Sequence, residues 1–212
     1  MMINLKALKA VALFCSKEET RYYLKGVNLQ FRSDHVIMVA TNGHYLTALR
    51  QTLEEPLDSP IPDTIVPIEL IDRIKISKHL DVCELYVDKG RITITYCGAT
   101  YADGAIDGSF PDWSRVSPSS VSGEAAQFDA AYPALFMKAA RMFDKSAQIK
   151  IAHNGLNPAL VTWLPVESGL DAFGVLMPIR TNDHMTVPPT WAGVIASSVS
   201  ADEETETEDE DA

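Results

Sequence analysis

The chain has 212 residues, 46% hydrophobic and 22% charged, which supports one large or two small domains with a real core. Its formal net charge is −11, but eight of the acids crowd into residues 202–212, and without them the balance is −3. Exposed charges act over only about 8 Å at physiological salt, so the net value does not exclude an anionic partner. Three features exclude a membrane or secreted protein and point to the cytoplasm: no apolar run of about 18 residues, no secretory pattern at the N-terminus, and three cysteines (Cys15, Cys83, Cys97) that lack metal-type spacing and read as reduced.

Met2-Ile3-Asn4 reads as a short strand leading into a helix over 5–17, with Leu5, Leu8, Ala12 and Cys15 on one stripe. Strands are predicted over 22–31 and 35–49, separated by Arg32-Ser33-Asp34. Thr64-Ile65-Val66 repeats the opening, Pro67 suits a first helical turn, and a helix is predicted over 68–76. The runs 83–87 and 91–96 flank Asp88-Lys89-Gly90 as a hairpin, where glycine supplies the positive φ of a tight turn. A further strand covers 99–106. Ala126-Gln127-Phe128 is read as a third leading strand, Asp129 as an N-cap, and 131–143 as a helix, with strands over 147–152, 159–163 and 173–177. Pro- and Ser-rich stretches at 54–62 and 117–123 punctuate the chain. The second marks a domain boundary.

The predicted helices start near 5, 68 and 131, each 63 residues after the last, which is the mark of an internal repeat. The expected fold class is α+β, built from three β-α-β-β(-β) units. Residues 1–117 hold two units, 124–181 the third, and 182–212 a linker and acidic tail.

Basic residues gather at the helices. Lys6, Lys9 and Lys17 lie on or beside the first, Arg73, Lys75 and Lys78 on or after the second, and Lys138, Arg141 and Lys145 at i, i+3 and i+7 of the third. They are nine of 18 basic residues. On one helix this is an ordinary solvated face; the same habit on three points to a shared basic surface. Such a surface binds phosphates of double-stranded DNA without reading sequence, and weakens steeply with salt.

Nothing in the sequence calls for catalysis, a cofactor or a metal. His35, His44, His79, His153 and His184 lack zinc spacing, and no phosphate loop, nucleophile elbow or dinucleotide motif occurs. Thr41-Asn42-Gly43-His44 reads as a turn. Asp103, Asp107 and Asp112 lie in turn sequence marked by Gly104, Gly108 and Pro111.

Four strings resemble the bacterial DNA polymerase III β subunit, the β sliding clamp family. Arg21-Tyr22-Tyr23-Leu24-Lys25-Gly26 and Val39-Ala40-Thr41-Asn42-Gly43-His44-Tyr45-Leu46 are similar to its RYYLNG and VATDGHRL. Gly108-Ser109-Phe110-Pro111-Asp112-Trp113-Ser114-Arg115-Val116 resembles its G-x-FPDYRRV junction, and Leu176-Met177-Pro178-Ile179-Arg180 its closing VMPMRL. The likeness covers residues 1–181: counterparts exist for the middle domain and the second half of the last, while the first domain and half of the third are missing. Tyr45 stands where the family usually has Arg, and Asn42 where it has Asp. Residues 182–212 run past the family's usual end.

The resemblance implies a DNA-clamp fold with helices lining a ring and sheets outside. Since the family's rings hold about a dozen helices, nine would come from a trimer and twelve from a tetramer. A homotetramer is therefore expected, with the third unit completing a domain of another subunit. The resemblance also implies a pocket for hydrophobic peptides of DNA polymerase and the clamp loader, formed by Leu24, Thr41, Gly43, His44, Leu46, Pro111, Arg115, Val116, Val175, Met177 and Pro178. Leu24, Leu46, Val175 and Met177 would otherwise read as core. Tyr22 and Tyr23 match family positions near DNA, and in a strand they would point to opposite faces. The implied function is a processivity factor encircling DNA, of phage or mobile-element origin. The alternative is a non-encircling module that regulates or decoys a host clamp. Met185, Val187, Pro188, Pro189, Trp191, Val194 and Ile195 read either as a loose linker or as a tethered peptide.

Overall fold

The computed structural model describes residues 1–163 and 169–180. The predicted linker and tail, with His184 and the apolar residues before the acids, lie outside the described residues, which form one compact unit ending at Arg180. Three helices, α1 (Leu5–Ala12), α2 (Ile68–Arg73) and α3 (Ala131–Arg141), start at the expected 63-residue interval. The strands are β1 (Met2–Asn4), β2 (Gly26–Phe31), β3 (His35–Thr41), β4 (Tyr45–Thr52), β5 (Thr64–Pro67), β6 (Val82–Asp88), β7 (Arg91–Tyr96), β8 (Ala99–Gly104), β9 (Lys150–Ala152), β10 (Ala159–Thr162) and β11 (Leu170–Leu176). They form a four-stranded sheet, β1-β6-β7-β8, and a seven-stranded sheet, β5-β2-β3-β4-β11-β10-β9. No described helix is long and apolar enough to cross a membrane.

The first two units trade their leading strands. β1 pairs with β6, Ile3 opposite Cys83, and β5 pairs with β2, Val66 opposite Val27. The third unit joins by its last strand: β11 runs antiparallel to β4 from Leu170↔Gln51 to Leu176↔Tyr45. The described residues of segments 1–117 and 124–180 therefore share one sheet, and side chains from both belong to one core.

Period-two alternation sorts the sheet's side chains. Val36, Met38 and Ala40 enter the main core, while Val39, Leu46, Ala48 and Val175 form a second cluster with Ile37, Phe110, Trp113 and Phe173 around it. α1 is the centre of the helical layer. It packs against both α2 and α3 and buries Leu5, Ala7, Leu8, Ala10, Val11 and Ala12. Each such fully buried aliphatic side chain as Leu5, Leu8 or Val11 contributes about 1.5–3 kcal/mol. The Asn4 side chain caps it by accepting from Ala7 N–H at 2.8 Å. Phe14 packs against Phe136 of α3, the rings tilted by 56° with 4.6 Å between centroids. Phe136 can lie there because Gly174 of β11 has no side chain: a Cβ on Gly174 would sit 1.9 Å from the ring.

Four expectations need correction. Residues 126–128 are not a strand: Ala126 N–H donates to His153 Nδ1 at 3.3 Å and the Gln127 carbonyl accepts Ile179 N–H at 2.8 Å, contacts that build no ladder among the described residues. Tyr22 and Tyr23 are not in a strand but in a 3-10 helix, Glu19–Leu24, so strand alternation does not apply to them. Their aromatic β-propensity yields to local closure, in which Lys25 N–H bonds Tyr22 O at 3.0 Å and Ser16 N–H bonds Leu24 O at 2.9 Å. The helices are shorter than predicted, leaving Lys17 and Lys75 beyond their ends, as Lys78 and Lys145 already were. The run 35–49 is broken at Asn42-Gly43-His44, where Gly43 takes φ +93°. Asn42 Oδ1 accepts from His44 N–H (2.9 Å) and Tyr45 N–H (3.1 Å), a local turn chemistry that outcompetes the ladder.

Candidate functional site

The predicted cations divide into two classes. Lys6 Nζ lies 2.6 Å from Asp81 and 5.6 Å from the centre of the Phe143 ring. Lys9 Nζ donates to the Ile71 carbonyl in the last turn of α2 at 2.8 Å, meeting the negative end of that helix. Burial lowers the Lys9 pKa, against the opposing pull of Asp72. Arg73 binds Asp103 at 2.7 Å and the Ala102 carbonyl at 3.2 Å, so its guanidinium covers part of the β8 edge. These three join α1, α2 and the neighbouring loop and strand to one another. Lys17, Lys75, Lys78, Lys138, Arg141 and Lys145 are exposed and have no carboxylate within ion-pair distance among the described residues.

On the second cluster, a cleft of about 290 Å³ opens between the start of β4, the end of β11 and the segment 111–116. Eight of the eleven predicted pocket residues line it: Leu24, Thr41, Gly43, Leu46, Pro111, Val116, Val175 and Met177. His44, Arg115 and Pro178 are not in the lining. His44 is exposed and its ring lies nearly parallel to Tyr132 at 6.2 Å. The wall also contains Arg21, Tyr45, Asp112 and Trp113, which lie outside the expected set, together with Tyr23, whose match in the family lies near DNA. Tyr22 is exposed and meets Tyr23 edge-on at 5.7 Å.

Local bonds give the cleft its shape. The Thr41 hydroxyl donates to Tyr45 O at 2.6 Å and accepts Gly43 N–H at 3.0 Å, closing the turn at the rim. Arg21 lies over that turn, donating to Asn42 O at 3.3 Å, and a Cβ on Gly43 would come within 2.7 Å of its guanidinium. Trp113 is anchored by its indole N–H to Gln30 Oε1 at 3.2 Å. Tyr45 packs edge-on to Tyr132 at 5.1 Å; burial, then the neighbouring Tyr132 and Cys15, raise its pKa. Its phenol brings bulk without fixed charge where the family's usual residue would bring a cation. An apolar floor with a few oriented polar groups at the rim suits apolar peptide side chains. Among the described residues no cluster of His, Cys, Asp and Glu could hold a metal.

Residues 4–112 match the family described as DNA polymerase III beta subunit, central domain. The chain belongs to that family. Among curated relatives it is similar to the beta sliding clamp of Caulobacter vibrioides, 31% identical over 109 residues, which are 49% of this chain and 29% of that one. It is likewise similar to the beta sliding clamp of Haemophilus influenzae, 24% identical over 117 residues, 53% of this chain and 31% of the other. The chain thus matches less than a third of the length of either relative. Solved beta-subunit structures show the α+β clamp fold across a longer stretch. The Bacillus subtilis sliding clamp superposes with a TM-score of 0.65 at 14% identity, over 85% of this chain and 64% of that one. A Bartonella birtlesii sliding clamp, solved with griselimycin bound, gives 0.62 at 17% identity, over 85% and 66%.

Proposed function

We propose that the chain is a DNA sliding clamp: a non-catalytic processivity factor of the cytoplasm that closes into a ring around duplex DNA and tethers a DNA polymerase. The carrying observation is the apolar cleft, assembled from eight of the residues expected to bind partner peptides, five of them within the family's central domain and Val116, Val175 and Met177 beyond it. Six exposed cations at the three helices support the DNA-facing role, since unpaired lysine and arginine side chains bind phosphates without reading sequence. A homotetramer supplies twelve such helices, three from each chain's described residues. Polymerase and clamp-loader peptides are the partners of the cleft.

The test is topological. Full-length protein loaded on nicked circular DNA should stay bound through gel filtration and leave once the DNA is linearised. Equal retention on both forms would replace the ring with a peptide-binding module that does not encircle DNA. Separately, Met177→Asp should weaken binding of an apolar polymerase-tail peptide by about 2 kcal/mol, roughly 30-fold, with an unchanged melting curve because Met177 is exposed. Unaltered peptide affinity in that variant would remove the cleft from the proposal.

A further inference from the structure

The first two units complete each other by exchanging leading strands, β1 onto β6 and β5 onto β2, both antiparallel. Each leading strand also holds its own unit near the end of the last strand. In the second unit Ile106 N–H, just past β8, donates to Ile65 O at 3.0 Å. In the first, the Gln51 side chain near the end of β4 bonds Asn4 N–H at 2.8 Å and Met2 O at 3.4 Å. The third unit repeats this inward contact, with Ile179, just past β11, donating to Gln127 O.

The exchange itself is not repeated among the described residues, where Ala126 of the leading segment instead donates its N–H to His153 Nδ1, one residue past β9, at 3.3 Å. β9 is the first strand after its helix, as β2 and β6 are after theirs, yet it ends the seven-stranded sheet and no described strand lies on its outer side. The core margin there is half-covered: Leu135, Met142, Ile149 and Ile151 pack against the core but stay half-buried. α1 buries six of its eight residues, α3 only three of eleven. Open strand edges and half-covered apolar flanks are what added strands cover.

We infer that this margin is an interface with a second copy, in which residues 126–128 of each chain add to β9 of the other. The occupant follows from the unit itself. A third unit carries both a leading segment and an open receiving strand, so it is complementary to a copy of itself, the condition for a twofold contact. The contact rests on the ring reading and deepens it: two chains joined this way contain three complete unit pairs, and two such dimers contain six.

The experiment uses two full-length chains in a Cys97→Ser background, one bearing Gln127→Cys and the other Lys150→Cys. Both substituted positions are exposed. Mixed and treated with a short bis-maleimide, they should give a product of twice 23.3 kDa, several-fold more abundant than from either chain alone. In sedimentation equilibrium the unsubstituted protein should weigh an even multiple of 23.3 kDa, and Leu135→Asp should halve that mass while keeping its circular dichroism. If Leu135→Asp fails to fold, the cross-link and the mass of the unsubstituted protein still decide. A monomeric mass, or a dimer without the mixed product, overturns the exchange. Retention on circular DNA without the mixed product removes the exchange and leaves the clamp; the mixed product without retention or peptide binding removes the clamp and leaves the exchange.

Discussion

The first and third units share an order of elements and differ in what surrounds them. α1 lies between two helices and against strands of both sheets, and its inward side chains are fully covered. α3 touches α1 along one flank and leaves Leu135, and Met142 just past its end, half-buried. Amphipathic helices on a common scaffold therefore reach different burial because burial depends on neighbours that the helix does not itself encode. The same contrast separates the cations. Those nearest the centre, Lys6 and Lys9, are taken up by Asp81 and the end of α2, whereas Lys138, Arg141 and Lys145 remain exposed.

That contrast can be broken most forcefully where α3 meets the sheet. Gly174→Val should cost about 3 kcal/mol or more, because Phe136 must leave its seat and its buried area is lost with it; chemical denaturation measures the loss. A smaller but more telling effect compares the helices. Leu8→Ala should lose about 2–5 kcal/mol, the range for a buried leucine, and Leu135→Ala clearly less at micromolar protein or below. If the third unit is covered by a second copy, the Leu135→Ala loss should grow with protein concentration. For DNA, replacing Lys138, Arg141 and Lys145 together by alanine should lower the salt slope of binding by about one for each phosphate contact removed. Lys9→Ala should leave that slope unchanged and lower the melting temperature, since its ammonium bonds Ile71 O. Equal slopes for the triple variant and the parent would remove α3 from the DNA surface. The mildest test is thiol reactivity. Burial pushes the Cys83 thiol up to about 12 and Cys15 further still, so at neutral pH both should resist alkylation while exposed Cys97 reacts.

Much of the cleft was legible because its residues sit in short strings that resemble those of the clamp family. Thr41, Gly43 and Leu46 lie around one turn, Pro111 and Val116 on one segment, and Val175 and Met177 near the end of one strand. Arg21, Tyr23, Tyr45 and Trp113 lie outside that expected set yet line the cleft. What brings them into the wall is closure of the 3-10 helix Glu19–Leu24 and the Trp113–Gln30 bond across 83 residues. No pattern of neighbouring residues announces such a contact.

The sequence by itself determined the repeat, the helix starts and the hairpin at Lys89-Gly90, since each follows from periodicity or turn chemistry, and its resemblance to the clamp family pointed to most residues of the cleft. Only the tertiary structure decided where helices stop, which cations are occupied, that Tyr22 and Tyr23 leave the strand, and that residues 126–128 form no strand. Those outcomes depend on atoms far apart in sequence, and desolvation, pairing and burial are settled by whichever distant group arrives alongside.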